Sequence, residues 1–211
     1  MGYEVTIIAI DGPAAAGKGT LARRLAAHFG LRYLDSGGLY RAVAARLLRA
    51  GDAPDDARKA VAAAQALTED DLSAPGLRDE AVGQAASILA PIAEVREVLF
   101  DYQRAFAADP PGAVIEGRDI GSVVFPDATH KLFVTASLDV RVTRRCAELA
   151  ARGKPADRST VRREMAARDA RDQERGIAPL LAAGDAHELD TSALDAEGAF
   201  SAALAAIGAN N

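Results

Sequence analysis

The sequence predicts an α/β protein in which helices cover both faces of a parallel β-sheet. Short apolar, β-branched runs alternate with helical patterns along the chain, as parallel strands and their crossover helices require. The chain has 211 residues, of which 49% are hydrophobic, so it is long enough to bury the core of one such domain. A glycine-rich turn directly after the first apolar run predicts a ligand site at the carboxyl edge of the sheet.

The elements are predicted in chain order from these patterns. Apolar runs predict strands at residues 5–10, 31–34, 113–116, 131–135 and 187–190. Apolar residues at helical spacing predict helices at residues 21–29, 39–50, 57–67, 79–89, 92–107, 138–152, 159–174 and 196–207.

Several local features are predicted within this framework. Ser36 and Ser137 are expected to cap the helices that follow them. Residues 68–76 are expected to form a loop, because they carry no helical or strand pattern. Tyr102 is assigned to the core face of helix 92–107, together with three other large apolar residues of that helix.

Residues 11–20, Asp-Gly-Pro-Ala-Ala-Ala-Gly-Lys-Gly-Thr, connect the first strand to the first helix. Gly12 and Gly17 let the backbone curl so that several N–H groups point inward, and the helix N-terminus adds positive potential. Lys18 then reaches the outer phosphates as a mobile charge. The alternative, a glycine turn without a ligand, requires all these features to coincide by chance. The loop predicts an ATP-type polyphosphate site formed by Gly12, Pro13, Ala14, Ala15, Ala16, Gly17, Lys18, Gly19 and Thr20.

The order of the last three loop residues narrows the class of phosphate-loop protein to which the chain could belong. The general phosphate-loop pattern places Ser or Thr directly after the lysine, where its hydroxyl is a magnesium ligand. Here Gly19 comes between Lys18 and Thr20. This form resembles the loop of nucleoside monophosphate kinases more than that of GTPases or motor ATPases.

Charged residues also follow the second and third predicted strands. Arg41 lies early in a helix, where the helix dipole disfavours a cation unless an anion compensates its charge. Arg41 is therefore predicted to face a phosphate. Glu116 ends the third strand, where phosphate-loop enzymes hold magnesium, often through water. Arg118 and Asp119 follow at the same edge of the sheet, and a simple ion pair between these two residues is the alternative.

A further group lies on the helix predicted at residues 159–174. Five residues at helical spacing form a stripe along one face of this helix. The stripe is apolar at its start and charged towards the C-terminal end, which predicts that the C-terminal end of the helix overhangs a polar ligand. A solvated, arginine-rich surface helix is the alternative. The stripe consists of Val161, Met165, Arg168, Asp172 and Arg175.

The preceding helix offers a weaker site. Arg141 and Arg145 lie one turn apart on its polar face, where they contact the donor nucleotide or simply face solvent. Cys146 belongs to the apolar stripe of the same helix and is predicted to pack rather than to react.

Composition and charge argue against several other classes. A net charge of −5 and a pI near 5.3 give no reason to expect a nucleic-acid or membrane partner. A single cysteine fits a reducing compartment. No apolar run approaches membrane-spanning length, and the N-terminus enters a strand without a signal-peptide pattern. These features predict a cytoplasmic protein, and separately we expect it to act as a monomer.

Taken in order, these segments resemble one family closely, the bacterial cytidylate (CMP) kinases. Gly-Arg-Asp-Ile-Gly at 117–121, followed by Val-Val-Phe-Pro-Asp-Ala at 123–128, is highly specific to that family. The resemblance covers almost the whole chain and implies a P-loop kinase fold with a helical NMP-binding insertion and a short lid. The implied boundaries are residues 1–36, 108–152 and 176–211 for the core, 37–107 for the insertion and 153–175 for the lid.

The resemblance also implies an activity, the transfer of the γ-phosphoryl group of ATP to CMP or dCMP with Mg²⁺ present. Lys18, Arg118 and Arg175 would be catalytic, and Thr20 and Glu116 would hold the magnesium ion, Glu116 through water. The implied CMP contacts are Ser36, Arg96 and Asp119 for cytosine, Ser87, Arg168 and Asp172 for the ribose, and Arg41, Arg118 and Arg175 for the acceptor phosphate.

The chain departs from the family pattern in three places. Residues 52–78 are shorter than in many members, so the small antiparallel sheet found there is expected to be absent. Gly38 replaces the usual alanine, and Glu116 stands where many members have aspartate.

Two alternative functions remain open at this point. Within the class, the acceptor could be UMP, AMP or a small non-nucleotide, although the chain lacks the Asp-Gly-Phe-Pro-Arg stretch of adenylate kinases. Outside the class, the chain could be a nucleotide-binding regulator that turns over little ATP.

Overall fold

A parallel sheet of five strands runs through residues 5–208, the part of the chain that the computed structural model describes. Each predicted strand is present within one residue of its predicted ends, and the α/β class is confirmed. Residues 1–4 and 209–211, assigned to the core from sequence, lie outside the described part. The strands are β1 (Thr6–Asp11), β2 (Arg32–Asp35), β3 (Gly112–Gly117), β4 (His130–Thr135) and β5 (His187–Asp190), in the spatial order β2-β3-β1-β4-β5.

Helices connect these strands, and the helix after β1 ends at Gly30, whose left-handed conformation (φ 65°) stops it. A π-helical turn, Ile120–Val124, follows β3. The helices are α1 (Lys18–Phe29), α2 (Ser36–Ala50), α3 (Ala57–Gln65), α4 (Glu69–Ser73), α5 (Glu80–Leu89), α6 (Ala93–Ala107), α7 (Leu138–Ala151), α8 (Arg158–Glu174) and α9 (Ala196–Gly208).

Different helices bury the two faces of the sheet. On one face, Ile8 of β1 packs in a cluster with Leu25 of α1 and Ile207 of α9. On the other face, Ile115 of β3 packs in a cluster with Ala107 of α6. Because successive strand residues point to opposite faces, burial on both faces accounts for the nearly continuous apolar runs in the sequence.

The helices between β2 and β3 share an apolar core of their own. Leu39 and Val43 of α2 cluster with Leu89 of α5 and Leu99 of α6. This helical unit begins where β2 ends, so α2 starts directly at the carboxyl edge of the sheet. No strand occurs within residues 52–78, as the shorter sequence predicted.

Three local predictions are wrong. Residues 68–76 are not all loop, because Thr68 and Asp71 form a capping box that starts α4. Asp35, rather than Ser36, caps α2 by accepting the N–H of Gly38. Tyr102 is 40% exposed and does not belong to the core.

The cap predicted at Ser137 is confirmed, since its hydroxyl accepts the N–H of Val140 at the start of α7. Within residues 5–208, none of the helices combines the length and the apolar character needed to cross a bilayer.

Candidate functional site

A cavity of about 760 Å³ opens at the carboxyl edge of the sheet. The glycine-rich loop, α5, the end of β3 and the facing sides of α7 and α8 form its walls. Asp11 of β1 pairs with Gly117 of β3, so the loop after β1 and the charged residues after β3 emerge side by side. Except for Gly12, Pro13 and Arg141, every residue predicted for the site lines this cavity.

The two loop glycines hold conformations that other residues rarely adopt. Gly12 has φ 143°, and a Cβ there would lie 1.9 Å from the carbonyl oxygen of Val134. Gly17 has φ 97° and is the N-cap of α1. A side chain at Gly12 would therefore force the loop away from β4, and the curled backbone depends on glycine at this position.

Lys18 is buried at the start of α1, where its Nζ donates to the carbonyl oxygen of Pro13 at 2.8 Å. Burial, and then the charge of Arg118, lower the pKa of Lys18 to about 7, against the opposing effect of Glu116 and Asp11. An anion entering the cavity would stabilise the charged ammonium. The buried position of Lys18 at the cavity therefore favours an anion beside its ammonium group.

Asp11 connects the glycine-rich loop to the segment after β3. Its buried carboxylate accepts the N–H groups of Ile120 at 2.8 Å and Gly121 at 2.7 Å. Burial raises the pKa of Asp11 to about 6, although these two hydrogen bonds act in the opposite direction. No role was predicted for Asp11, yet a carboxylate ending an otherwise apolar strand requires a buried partner.

Arg41 has a carboxylate partner that the sequence prediction did not include. Its Nη2 lies 2.6 Å from Asp35 Oδ2, and Arg78 Nη2 approaches the same oxygen at 3.5 Å. Burial acts to raise the pKa of Asp35, but the two arginines lower it overall. Arg41 and Arg78 both line the cavity, so Asp35 holds two guanidinium groups at the cavity wall.

Asp119 lies between two arginines from distant elements. Arg96 of α6, only 3% exposed, forms a buried ion pair with it, and Arg175 Nη2 lies 3.5 Å from Asp119 Oδ1. Arg118 turns to another partner, with its Nε donating to Asp172 Oδ2 at 3.0 Å. The alternative of a local Arg118–Asp119 pair is therefore wrong.

The stripe on α8 faces inward along its length. Val161 and Met165 pack against α7, while Arg168 and Asp172 reach the cavity. Ser87 of α5 donates to Asp172 Oδ1 at 3.1 Å. Burial, and then the charge of Arg118, lower the pKa of Arg168 to about 10. The stripe is not a solvated surface, and its arginines make this half of the cavity suited to an anion.

Glu116 and Thr20 lie near the mouth of the loop. The Glu116 carboxylate is close to Gly19, because a Cβ on Gly19 would lie 2.9 Å from Glu116 Oε1. Tyr33 of β2 donates to the same oxygen. Residues 5–208 contain no group of three acidic, histidine or cysteine side chains able to hold a metal alone.

The arginines of α7 differ from one another in their partners. Arg141 is buried, pairs with Asp169 at 2.7 Å and donates to the carbonyl oxygen of Ala14. Arg145 lines the cavity and pairs with Glu80 at 2.8 Å. Neither arginine simply faces solvent.

Another arginine of α7, Arg144, was not predicted. It donates to the carbonyl oxygen of Ala16 at 3.4 Å and to Thr191 Oγ1 at 3.0 Å. Cys146 is half-buried against the apolar cluster between α7 and α8, as the prediction of a packing role required.

A phosphate loop at the edge of a parallel sheet, facing a second half lined with arginines, defines a nucleoside monophosphate kinase of the P-loop class. Residues 8–208 match the model of the cytidylate kinase family. The chain belongs to that family.

Close relatives support this assignment over nearly the whole chain. A cytidylate kinase of Paramagnetospirillum magneticum is 57% identical over 206 residues, which cover 96% of this chain and 98% of the relative. A cytidylate kinase of Rhodopseudomonas palustris is 54% identical over 198 residues, covering 94% and 93%. Among solved structures, an uncharacterized protein from Eubacterium ventriosum shares the fold, with a TM-score of 0.53, 16% identity and coverage of 96% and 98%.

Proposed function

We propose that the protein transfers the γ-phosphoryl group of ATP to CMP, and to dCMP, giving ADP and the corresponding diphosphate. The single observation that carries this proposal is the two-part cavity, in which the phosphate loop faces the buried arginines and carboxylates after β3 and on α8. A regulator with one nucleotide site would not need the second half. The relatives named cytidylate kinase support CMP as the acceptor.

The donor half is assigned to residues 12–20. Backbone N–H groups of the loop and the start of α1 would bind the triphosphate, and Lys18 would neutralise its outer charge. Arg145, which lines the cavity, would lie near the donor nucleotide. Arg141 would act on the donor only indirectly, by supporting the loop through the Ala14 carbonyl group.

The acceptor half is assigned to residues around β3, α5, α6 and α8. Its assignment rests on the buried ion pairs of Asp119 and Asp172 and on the positive charge beside them. The roles proposed are those that the family resemblance implies. Ser36, Arg96 and Asp119 would bind cytosine, Ser87, Arg168 and Asp172 the ribose, and Arg41, Arg118 and Arg175 the phosphate.

The chemistry requires no strong general base, because the acceptor phosphate is already an anion. Catalysis then depends on positioning and on neutralising charge in a loose transition state. Lys18, Arg118 and Arg175, which all line the cavity, would do this.

Magnesium fits the oxygen-rich mouth of the loop, because hydroxyl, carboxylate and phosphate oxygens are its preferred ligands. Thr20 and Glu116 would hold it, Glu116 through water. The ion would supply charge neutralisation on the donor phosphates.

We also propose residues 37–107 as the acceptor-binding insertion and 153–175 as the lid. The contacts between α5 and α8, including Ser87 to Asp172 and Arg171 to Gln84, support a lid that closes over the acceptor. Closure would exclude water, which otherwise competes as a phosphoryl acceptor. The protein is proposed to act as a cytoplasmic monomer without nucleic-acid or membrane partners.

A panel of acceptors with ATP and Mg²⁺ tests the function. CMP and dCMP are expected to give the highest kcat/KM, with UMP, AMP and small non-nucleotide alcohols far below. Release of ADP is measured with a coupled assay, and the phosphorylated product is identified by mass spectrometry. A higher kcat/KM with AMP or UMP would reassign the acceptor, and CMP binding without ADP release would favour a regulator.

Binding of ATP at pH 8 is expected to take up close to one proton. With a pKa of about 7, Lys18 is mostly neutral at this pH, and a neighbouring triphosphate returns it to the charged form. The proton uptake is measured by calorimetry in buffers of different ionisation enthalpy. A Lys18→Met variant should lose this uptake. Equal uptake by the two proteins would contradict the role of Lys18.

A further inference from the structure

Tyr33 is a half-buried residue of β2, and it contacts Glu116, the proposed ligand of the cation. Its hydroxyl donates to Glu116 Oε1 at 2.5 Å. Tyr33 pairs with Val114 of β3, two residues before Glu116, so the two side chains lie on the same face of the sheet. The bond therefore crosses between neighbouring strands at the edge where the cavity opens.

Arg23 fixes the direction of the Tyr33 hydroxyl. It lies on α1, donates from Nη1 to Tyr33 Oη at 3.3 Å, and holds its guanidinium 5.5 Å from the centre of the tyrosine ring. A hydroxyl group that accepts from Arg23 directs its own proton to Glu116. The helix that begins with the phosphate loop is in this way connected to the carboxylate at the end of β3.

Glu116 has a flexible side chain with several rotamers, which it loses when it is held in one position. The hydrogen bond to Oε1 limits that freedom. No group in residues 5–208 donates a hydrogen bond to Oε2, and Glu116 lines the cavity beside Gly19. One carboxylate oxygen is held, and the other is free for a ligand.

We propose that Tyr33 is a positioning residue for the divalent cation, because it holds Glu116 Oε1 and leaves Oε2 to bind the water shell of the cation carried by ATP. This inference rests on the proposed function, since it requires a cation-bound nucleotide at the loop. Tyr33 touches neither nucleotide in this assignment and acts only through Glu116.

The test measures binding of Mn²⁺ with ATP to the CMP-free protein by electron paramagnetic resonance. Tyr33→Phe is expected to weaken Mn²⁺ affinity about 10-fold, the lower end of the effect of removing an outer partner of a metal ligand. Affinity for ATP without metal and the KM for CMP are expected to stay unchanged, because the lost hydroxyl contacts only Glu116 and Arg23. Higher Mg²⁺ should restore kcat.

Two further variants separate this role from a structural one. In a Glu116→Ala background, Tyr33→Phe should cause no additional loss, because the acceptor of its hydrogen bond is already absent. Tyr102→Phe is the matched control, since Tyr102 is an exposed tyrosine on α6, and it should bind Mn²⁺ like the natural protein. Unchanged Mn²⁺ affinity in Tyr33→Phe, or the same loss in both backgrounds, would overturn the proposal.

The outcome is independent of the acceptor assignment. Mn²⁺ binding is measured without CMP, so failure of the natural protein to phosphorylate CMP would contradict the proposed function alone. Circular dichroism of Tyr33→Phe checks that the comparison is made on folded protein.

Discussion

Replacing Lys18 by alanine is expected to lower kcat at least ~100-fold, the scale of losing one group that stabilises the transition state. Lys18 Nζ lies at the mouth of the loop, held by the Pro13 carbonyl group at 2.8 Å. The fold should remain intact, because burial already disfavours the charged ammonium and lowers its pKa to about 7. Removing this group therefore relieves a desolvation cost.

Steady-state kinetics with saturating CMP, together with thermal unfolding, measure the two effects. Lys59→Ala provides a matched control, since Lys59 is an exposed lysine that pairs with Asp52 on the protein surface. It should retain the natural kcat. Near-normal turnover by Lys18→Ala would show that the donor half has been assigned to the wrong residues.

Replacing Asp119 by alanine is expected to abolish measurable CMP phosphorylation and to lower the free energy of unfolding by about 3–5 kcal/mol. Asp119 is the partner of both Arg96 and Arg175. Its removal leaves the buried Arg96 guanidinium without a counter-charge, and that cost exceeds the value of the ion pair itself. Chemical denaturation and the acceptor assay measure the two losses separately.

Arg96→Met should be less destabilising than Asp119→Ala, because Asp119 keeps Arg175 as a partner when Arg96 is removed. Both variants should lose CMP recognition to a similar degree, so stability and recognition can be distinguished. Asp139→Ala breaks an exposed pair with Arg162 and should change stability by less than about 1 kcal/mol. Equal destabilisation by Asp119→Ala and Asp139→Ala would contradict the buried pair.

Sequence reasoning succeeded where a local pattern determines the result. The loop glycines, the strand ends and the charged turn of the α8 stripe all depend on spacing along one element. Lys18 and Arg118 could therefore be placed at one edge of a sheet from sequence, and Asp172 on a helix end that overhangs a polar ligand. The structure brings all three to one cavity. Their individual roles remain predictions.

The features that were missed depend on contacts between elements distant in the chain. Asp11 receives its hydrogen bonds from residues more than a hundred positions away, and Arg144 meets Thr191 across the site. In the sequence Tyr33 is one residue of a predicted strand, and its contact with Glu116 arises only from the pairing of β2 with β3. The start of α4 is different, because Thr68 and Asp71 carried a local capping pattern that could have been recognised.

The order of strands in the sheet also bears on how the protein forms during synthesis. β1 pairs with β3, Thr6 beside Gly112, although about half of the chain lies between them. Joining distant segments costs loop-closure entropy and slows folding. The intervening helices have their own apolar core, so they can become compact first and shorten the gap. β1 can therefore pair with β3 only after residues 112–117 have been synthesised, and the loop after β1 meets the charged residues after β3 through that pairing.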